Sequence, residues 1–356
     1  MNERSFIVGP MHKEKVVIVG ASGYSGEELV RLLSGHPYAD LVAVTSRQAA
    51  GQSLAHLYPR FLGTKYAGVK FIDSTIDAIL ASGARVVFLA LPHGVAAEFA
   101  APLVKAGLRV LDLSADFRIK DLETYAEFYG EKHHAPELAE ISVYGLPEVY
   151  REEIKAAQLV ACPGCYPTSV LLPLIPLLRR NLIKAPTITV FSMSGVSGAG
   201  RNAKVDYLFA ECNESVRAYS VPKHRHLAEI EQELSNAAGE KVTITFTPHL
   251  IPVNRGIHTT IYAAPAEGVE GYHLTNAYAE DYGGSKFVRL LGEKGNLPDT
   301  KHVVGTNFCD IAWRHDTRTG RMVLLSAEDN LVKGAAGQAV QCLNVLCGWP
   351  DETGLL

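Results

Sequence analysis

Residues 16–26 read VVIVGASGYSG, an apolar run followed directly by three closely spaced glycines. Glycines in this pattern permit a tight turn, a close approach of the backbone to a pyrophosphate, and close packing of a helix on a strand. Residues 27–33 are helix formers, so the segment predicts a strand, a turn and a helix whose first N–H groups face a phosphate. We predict a dinucleotide site, with a ligand-free turn as the alternative, formed by Gly20, Ser22, Gly23, Tyr24, Ser25 and Gly26.

The end of the second predicted strand, Leu41–Thr45, indicates which dinucleotide is bound. Sites for NAD carry an Asp or Glu there, about 20 residues after the glycines, which binds the 2′-hydroxyl of the ribose. This chain has Ser46 and Arg47 instead, a hydroxyl and a guanidinium that suit a 2′-phosphate. The pattern favours NADP over NAD, and the alternative is that Arg47 is a solvated loop residue.

The first half of the chain alternates short β-branched runs with helical patterns, which predicts βαβ units and a parallel sheet. Besides the two strands above, the runs Val86–Leu91 and Val110–Leu113 fit this pattern. The second half has longer runs of alternating apolar and polar residues, typical of a mixed or antiparallel sheet with one covered face. These runs are Thr187–Met193, Val242–Pro248 and Ile257–Ala263.

A helical pattern over Asp329–Leu346 follows, with Asp329 or Asn330 as the predicted cap of its first turn. We expect this helix to pack back on the first domain. The predicted fold class is therefore α/β, with two domains. Residues 1–162 with 328–356 form an NADP-binding Rossmann domain, and residues 163–327 form a second α/β domain of the α+β type.

The composition excludes several classes of protein. The 356 residues, 47% of them hydrophobic and 20% charged, suit a globular chain of about two domains. Thirty-four basic and 38 acidic residues leave a net charge of −4, which provides no basic surface for nucleic acid or an anionic membrane. The uncharged stretch 156–178 contains four prolines, and its apolar part is shorter than the roughly 20 residues that a membrane-spanning helix needs.

Six cysteines without regular spacing favour a reducing compartment. No second cysteine pair completes a zinc site, so we predict no metal. Residues 1–14 lack the apolar core of a signal peptide. They form either a short tail or a segment in which Met11 is the more usual start. We expect a cytoplasmic protein that acts on a small molecule.

Residues 162–168 read CPGCYPT, and Cys165 is the candidate nucleophile. A Pro-Gly pair forces a turn before it, and the apolar segment 169–178 predicts a helix that two prolines would kink. The N-terminus of a helix stabilises a thiolate and lowers the thiol pKa. A thiolate beside a nicotinamide suggests covalent capture of an acyl group followed by hydride transfer. The alternatives are a small buried apolar residue or a redox pair with Cys162.

Acyl transfer also requires an acid or base, and the sequence His224-Arg225-His226 offers two histidines beside a cation. This segment precedes a helical run at 228–234, and a solvated loop is the alternative interpretation. Arginines in loops of small residues are candidates for binding a carboxylate or phosphate. They are Arg118, Arg201 and Arg255.

From about Lys15 to its end, the chain resembles the N-acetyl-gamma-glutamyl-phosphate reductases of arginine biosynthesis. So many motifs in the same order are far more specific than any one of them alone. The motifs are GASGYSG at 20–26, LPHG at 91–94, DLSADFR at 112–118, YGLPE at 144–148, PGCYPT at 163–168, SGVSGAGR at 194–201, HRH at 224–226, NRGI at 254–257 and DNLVKGAAGQAVQ at 329–341.

The resemblance implies a second domain for catalysis and oligomerisation, and a homo-oligomer that is a dimer or tetramer. It implies NADPH-dependent reduction of N-acetyl-L-glutamyl 5-phosphate to N-acetyl-L-glutamate 5-semialdehyde and phosphate. By the same resemblance, Cys165 forms a thioester with the acyl group. His226, or else His224, then donates a proton as the thiolate leaves.

Further site residues follow from the same resemblance. Arg118 and Arg201 lie in matching motifs and are expected near the substrate. Pro92, Gly198 and Asn330 also lie in matching motifs and are expected at the cofactor. Cys162 departs from the pattern that we expect for these enzymes, which suggests the hypothesis that a Cys162–Cys165 disulfide blocks the nucleophile under oxidation.

Three other assignments remain open. The related aminoadipyl-phosphate reductase of lysine biosynthesis is the nearest, although the loop at 194–201 is more similar to the arginine enzymes. One methylene changes binding by only about 1–3 kcal/mol, so dual activity is compatible with the sequence. Aspartate-semialdehyde dehydrogenase, which shares the chemistry, and an NADP-binding regulator without catalysis are the other two.

Overall fold

Seven strands from the first half of the chain form one parallel sheet. The computed structural model describes residues 13–356, so most of the predicted tail at 1–14 lies outside the described residues. The strands are β1 (Glu14–Val19), β2 (Ala39–Thr45), β3 (Phe71–Ile72), β4 (Val86–Leu89), β5 (Arg109–Asp112), β6 (Val143–Tyr144) and β7 (Leu159–Ala161). Their order is β3-β2-β1-β4-β5-β7-β6, and every neighbouring pair is parallel. The predicted parallel sheet is confirmed.

Helices connect these strands. They are α1 (Tyr24–Gly35), α2 (Leu54–Leu57), α3 (Ile76–Ala81), α4 (Ala96–Lys105), α5 (Leu122–Tyr129), α6 (Pro136–Ile141) and α7 (Pro147–Ala156), with a short 3₁₀ turn at Pro59–Phe61. The helix predicted at 27–33 begins three residues earlier, directly after Gly23. The strand predicted to reach Leu91 ends at Leu89, because the chain turns there into the loop before α4.

The second half of the chain forms a mixed sheet. Its strands are β8 (Thr189–Gly195), β9 (Arg217–Ala218), β10 (Thr245–Ile251), β11 (Ile257–Ala263), β12 (Val288–Gly292), β13 (Cys309–Asp316) and β14 (Arg321–Glu328). Their order is β12-β13-β14-β11-β8-β10-β9, with parallel pairs only at β12/β13 and β8/β10. The prediction of a mixed sheet is confirmed, and Ile257–Ala263 has the predicted bounds.

Two strands of this sheet begin later than predicted, for different reasons. Thr187 closes a 3₁₀ turn, Ala185–Thr187, because the proline inside it has no N–H for a sheet. At the start of the other run, the N–H of Val242 donates to Ser235 Oγ (2.9 Å), and that of Ile244 donates to Glu231 Oε1 (2.9 Å). Side chains of a helix, and not the backbone of a neighbouring strand, therefore accept these hydrogen bonds.

Helices cover one face of the mixed sheet, as the alternating pattern predicts. They are α8 (Cys165–Arg179), α10 (His226–Ala238) and α11 (Gly271–Tyr282). The short helix α9 (Phe209–Cys212) has no buried residue, and 3₁₀ turns lie at Val196–Ala199, Val205–Tyr207 and Thr300–His302. Leu174 on α8, Tyr278 on α11 and Trp313 on β13 belong to one buried cluster. The opposite face of the sheet carries side chains that are half-buried or exposed, such as Phe191 and Tyr262.

The last long helix packs on the first sheet. A π-helical turn, Val332–Ala336, leads into α12 (Gly337–Cys347), and Val340 shares a buried cluster with Val16 and Phe88. The helical part begins at Val332, three residues after the start of the predicted pattern, and Asp329, one of the two residues predicted as the cap, caps its first turn. Its Oδ1 accepts hydrogen bonds from the N–H groups of Leu331 (2.8 Å) and Val332 (3.2 Å).

Helix α8 runs through two prolines without interruption. Pro173 and Pro176 have no N–H, so the carbonyls of Ser169 and Leu172 lose their usual partners four residues later. Ser326 Oγ donates to Ser169 O (2.6 Å), and Tyr282 Oη donates to Leu172 O (2.8 Å). Hydroxyls from β14 and α11 thus replace both missing donors. No helix in residues 13–356 is long and apolar enough to cross a membrane.

We expect Tyr282→Phe to lower the free energy of unfolding by about 1–3 kcal/mol, the cost of an unpaired buried carbonyl. In a Pro176→Ala background, residue 176 supplies its own N–H to Leu172 O, so the same change should cost markedly less. Urea unfolding of the four proteins measures both values. Tyr272→Phe, at a side chain that is 55% exposed, is the control and should change stability by less than about 0.5 kcal/mol. If Tyr282→Phe lowers the free energy of unfolding equally in both backgrounds, the Tyr282 hydroxyl does not replace the N–H that Pro176 lacks.

Candidate active site

The glycine loop joins β1 to α1 at the carboxyl edge of the first sheet. Gly20 has a φ of +87°, and a Cβ there would lie 2.4 Å from Ala90 O. A Cβ at Gly26 would lie 2.5 Å from Gly20 O. No side chain caps the first turn of α1 at Gly23. The loop therefore has room only for backbone at two positions and leaves the helix N-terminus available to an anion, which fits a dinucleotide phosphate.

The end of β2 lies against this loop. Ser46 Oγ donates to Ser22 Oγ at 3.2 Å, so the two predicted hydroxyls lie side by side. Arg47 follows at an exposed position. The hydroxyl and the guanidinium predicted to bind a 2′-phosphate are thus adjacent to the glycine loop.

Cys165 is the first residue of α8, and Gly164 is the N-cap. A Cβ at Gly164 would lie 2.6 Å from His226 Nε2 and 3.0 Å from Arg118 Nη1. Two of the predicted residues therefore lie against the residue that precedes the candidate nucleophile. Cys165 itself is half-buried, so the side chain is not sealed from solvent.

The expectation that the helix N-terminus lowers the thiol pKa is wrong for this structure. Burial raises the pKa of Cys165 to about 12, and the carboxylate of Glu328 adds to the shift. The N–H of Tyr166 and the guanidinium groups of Arg118 and Arg225 act in the opposite direction but do not outweigh these effects. Cys165 is consequently a thiol at rest, and a base would have to remove its proton before it could act as a nucleophile.

The two histidines differ in their surroundings. His226 begins α10, and its Nδ1 is buried without a hydrogen-bond partner in the described chain. Its backbone N–H donates to His224 Nδ1 at 3.1 Å. The ring of His224 packs edge-on against Tyr166, Tyr219 and Phe246.

Burial favours the neutral form of both rings. Burial and the charge of Arg225 lower the pKa of His224 to about 4. Burial lowers the pKa of His226 well below its ordinary range, with His224 and the nearby arginines acting in the same direction. A neutral imidazole accepts a proton, which is the role that the Cys165 thiol requires of a neighbour.

Glu229 is a buried residue that the sequence analysis missed. Its Oε1 accepts hydrogen bonds from Gly164 N (2.9 Å) and Tyr144 Oη (2.6 Å), and its Oε2 accepts one from Arg118 Nη1 (3.3 Å). It therefore holds the turn before Cys165 and the arginine beside it. Its position three residues after His226, on the inward face of the same helix, was the available signal.

The two arginines predicted near the substrate lie in different places. Arg118 is buried beside Gly164, and its Nε has no hydrogen-bond partner in residues 13–356. Arg201 lies at the glycine loop, where it donates to Ser22 O (2.8 Å) and pairs with Glu27 (2.6 Å). Its guanidinium also lies 4.8 Å from the centre of the Tyr24 ring. The structure thus brings Arg118 to Cys165 and Arg201 to the cofactor loop.

Arg255, the third candidate arginine, links the two halves of the chain. Its Nη2 donates to Glu28 Oε2 (2.8 Å) and its Nη1 to Asp329 Oδ2 (3.4 Å). Glu28 lies on α1, directly after Glu27, which pairs with Arg201. Two consecutive acidic residues of the cofactor-side helix are therefore paired with arginines of the second sheet's loops.

Of the three other residues predicted at the cofactor, Asn330 and Gly198 make contacts within the chain and Pro92 is exposed. Asn330 Oδ1 accepts from Gly256 N (2.8 Å), and its Nδ2 donates to Ser197 Oγ (3.0 Å). Gly198 follows that serine at an exposed position, and a Cβ there would lie 3.7 Å from Asn330 Nδ2. Pro92 is exposed in the loop after β4. Asn330 and Gly198 thus form one loop contact.

The cysteines and acidic residues form no metal site in residues 13–356: no group of three or more potential ligands occurs there. All six cysteines are free thiols, and Cys342 on α12 donates from its Sγ to Gly145 O (3.3 Å), while the neighbouring Cys162 thiol contributes to a raised pKa of Cys342. The hypothesis of a Cys162–Cys165 disulfide therefore stays a hypothesis, with a second thiol beside Cys162.

Two family models match the chain in the order of its sheets. Residues 15–157 match the NAD binding domain of semialdehyde dehydrogenases, and residues 165–330 match the semialdehyde dehydrogenase dimerisation domain. The fold and the site therefore define a member of the semialdehyde dehydrogenase class.

Curated relatives narrow this class. The chain is 55% identical to the N-acetyl-gamma-glutamyl-phosphate reductase of Akkermansia muciniphila, over 97% of the chain and 99% of the relative. It is 51% identical to the reductase of the same name from Geotalea daltonii, over 96% of the chain and 97% of the relative. The chain belongs to the N-acetyl-gamma-glutamyl-phosphate reductase family. Membership supports an oxidoreductase of arginine biosynthesis and does not favour the alternative assignments.

Solved structures agree on the fold. An aspartate semialdehyde dehydrogenase II from Vibrio cholerae matches 95% of this chain and 99% of its own, with a TM-score of 0.71 and 16% identity. The aspartate semialdehyde dehydrogenase of Candida albicans, determined with NADP, matches 94% of this chain and 98% of its own, with a TM-score of 0.70 and 16% identity. At such identities the likeness concerns the fold alone.

The buried neutral histidines predict a pH-dependent stability. The unfolded chain takes up a proton at His224 near pH 6.5, whereas the folded chain does so only near pH 4. The unfolded state therefore binds more protons in this window, and the free energy of unfolding falls as the pH drops through it, by up to roughly 3 kcal/mol from this residue.

His224→Asn should reduce this dependence, because the Asn Oδ1 replaces Nδ1 as the acceptor for His226 N and takes up no proton. Urea unfolding between pH 7 and pH 5 compares the two slopes. His56→Asn, at an exposed position, is the control and should leave the slope unchanged. If the free energy of unfolding changes equally with pH in wild type and in His224→Asn, the lowered pKa of His224 is not a cause of the pH dependence.

Proposed function

We propose that this protein reduces N-acetyl-L-glutamyl 5-phosphate to N-acetyl-L-glutamate 5-semialdehyde and phosphate with NADPH, through a thioester on Cys165. The observation that carries the proposal is the packing at Gly164, where His226 Nε2 and Arg118 Nη1 would lie 2.6 Å and 3.0 Å from a Cβ. A proton acceptor and a cation therefore lie beside the residue that precedes Cys165. Acyl transfer from an anionic acyl phosphate needs both.

The first step forms the thioester. Neutral His226 takes the proton of the Cys165 thiol, and the sulfur attacks the acyl carbon as the C–O bond to phosphate breaks. His226 is favoured over His224 because its Nε2 faces Gly164, whereas His224 accepts the N–H of His226 and packs among aromatic rings. Arg118, held by Glu229, is oriented to bind the anionic substrate, and its unpaired Nε is a remaining donor.

The second step releases the aldehyde. NADPH, when bound at the glycine loop, supplies the hydride that reduces the thioester carbon to the aldehyde level. As the C–S bond breaks, Cys165 leaves as a thiolate and regains its proton from His226. Burial raises the thiol pKa and lowers the pKa of His226, so both groups return to their neutral resting forms.

The cofactor residues that we propose surround the carboxyl edge of the first sheet. Ser46 and Arg47 would bind the 2′-phosphate, which selects NADP, and residues 20–26 would hold the pyrophosphate. Pro92, Gly198 and Asn330 are proposed on the nicotinamide side. We also assign Arg201 to this end, because it contacts the glycine loop through Ser22 O.

The second domain is proposed to dimerise through the uncovered face of its sheet. Side chains on this face are half-buried or exposed although many are apolar; they include Phe191, Met193, Tyr262, Val323 and Leu325. The match to a dimerisation domain supports a pairing of this face with the same face of a second copy. The division into residues 1–162 with 328–356 and residues 163–327 is retained as a proposal, as is a cytoplasmic location.

Turnover in the reverse direction tests the chemistry without the labile acyl phosphate. With N-acetylglutamate 5-semialdehyde, phosphate and NADP⁺, wild type should form NADPH, and Cys165→Ala should abolish this. His226→Asn should lower kcat by about 10²- to 10⁴-fold, the usual contribution of a general acid–base group. Cys347→Ala, which removes another half-buried thiol, should leave the rate unchanged.

The outcomes of this assay separate the assignments. Phosphate-dependent turnover that persists in Cys165→Ala would overturn the thioester mechanism. Turnover with the aminoadipate homologue alone would move the chain to the lysine pathway. A folded wild type that binds NADP but turns over neither substrate would favour a regulator.

Introducing a charged side chain on the uncovered face of the sheet tests the proposed dimer. Leu325 lies on β14, between β11 and β13, so in the proposed dimer Leu325→Glu would bury one carboxylate from each copy in the interface. We expect the dimer dissociation constant to rise at least about a hundredfold, as measured by analytical ultracentrifugation. Leu297→Glu, at an exposed position outside the sheets, is the control. An unchanged dissociation constant for Leu325→Glu would place the interface elsewhere.

A further inference from the structure

Glu328 ends β14 with a fully buried side chain that the mechanism above does not use. Neither of its carboxyl oxygens has a hydrogen-bond partner within residues 13–356. Its register neighbours are Ile257 on β11 and Cys309 on β13, neither of which offers an ionised partner. Buried carboxyls are normally paired, so an unpaired one needs an explanation.

The carboxyl group lies close to the candidate nucleophile. A Cβ at Gly334 would lie 2.8 Å from Cys165 Cβ and 2.9 Å from Glu328 Oε1. The glycine therefore fills the narrow space between the two side chains, and no bulkier residue separates them. Because the site is buried, the charges of these groups interact more strongly than they would in water.

The other charges around Glu328 do not neutralise it. Lys333, on the π-helical turn, favours its ionised form, but Lys333 Nζ donates to Glu148 Oε1 (2.7 Å) and Gln341 Oε1 (2.8 Å). Asp329 and Glu148 oppose ionisation. Burial is the largest effect, and it raises the pKa of Glu328 well above the usual range.

The carboxylate of Glu328 raises the pKa of two nearby thiols, Cys165 and Cys309. After burial, the carboxylate of Glu328 is the largest cause that raises the pKa of Cys165, and it does the same for Cys309. Cys309 is fully buried, whereas Cys165 is half-buried. Because only Gly334 lies between the Glu328 carboxyl and Cys165, a negative charge on Glu328 opposes loss of the proton from the Cys165 thiol.

We propose that Glu328 is a positioning residue that controls the ionisation of Cys165: its neutral acid permits the thiolate, and its carboxylate opposes it. This inference rests on the proposed function only in that Cys165 is the nucleophile. The proton leaves Cys165 for His226 during turnover or for water in the free enzyme, and Glu328 forms no bond to the substrate. A nucleophile held as a thiol between turnovers also reacts more slowly with oxidants.

The test measures the ionisation of Cys165 directly, as the rate of alkylation by iodoacetamide from pH 6 to pH 10. Peptide mass spectrometry follows Cys165 separately from Cys212 and Cys347, the other half-buried thiols. Glu328→Gln and Glu328→Leu both remove the charge at nearly constant volume. In each, we expect alkylation of Cys165 to be at least about tenfold faster at every pH in this range, because the whole range lies below a thiol pKa of about 12 and the rate there follows the thiolate fraction.

Two comparisons isolate the effect. Alkylation of Cys212 and Cys347 in the same digests should not change. Glu231→Gln makes the same substitution at a carboxyl whose pKa burial also raises, and whose Oε1 accepts the N–H of Ile244. It should leave the Cys165 profile unchanged. Thermal unfolding of each variant confirms that the chains are folded.

An unchanged rate of Cys165 alkylation in both folded Glu328 variants would overturn the proposal. Faster alkylation in Glu328→Gln alone would also overturn it, because the effect would then depend on hydrogen bonding by the amide rather than on charge. Should one variant not fold, the other still decides, since both lack the carboxylate. Failure of the proposed function shows differently, as turnover that survives Cys165→Ala, and the alkylation assay needs no substrate.

Discussion

The carboxylate of Glu229 is the interaction on which the site depends. It comes from α10, yet its hydrogen-bond partners are the turn before α8, an arginine after β5 and a tyrosine on β6. One buried anion thus joins the edge of the first sheet to the helices of the second. Because each partner satisfies part of its charge, the group is held in place by three segments that are far apart in sequence. His226, three residues earlier on the same helix, takes its position at Gly164 as a consequence.

Burial determines the protonation states of Cys165 and of the two histidines around the turn that Glu229 holds. Removing charges from water costs free energy, so Cys165 rests as a thiol and both histidines rest as neutral imidazoles. These neutral forms suit the proposed mechanism, in which a proton moves at the moment of reaction and no ion pair is formed beforehand. The positive groups nearby, Arg118 and Arg225, favour the thiolate.

Much of the fold was predictable because it depends on local patterns. The apolar run and the glycines at 16–26 determine a strand, a turn and a helix within a few residues of one another. Strand ends were less predictable, as at Val242, where helix side chains accept the backbone N–H groups nearby. The helix through Pro173 and Pro176 is continuous, and hydroxyls from β14 and α11 donate to the carbonyls that the prolines leave unpaired. No pattern in the sequence predicts hydrogen-bond donors that lie so far along the chain.

The sequence by itself determined the α/β class, the cofactor loop, the position of Cys165 at a helix start and, through the order of its motifs, the family. Each of these depends on residues close together in the chain or on similarity along it. Only the tertiary structure decided that Arg118 lies at Gly164 while Arg201 lies at the glycine loop. It alone brought Glu229 and Glu328 close to Cys165, and it reversed the expected direction of the thiol pKa. The physical reason is that burial and long-range electrostatics depend on which segments pack together, and spacing along the chain carries no measure of either.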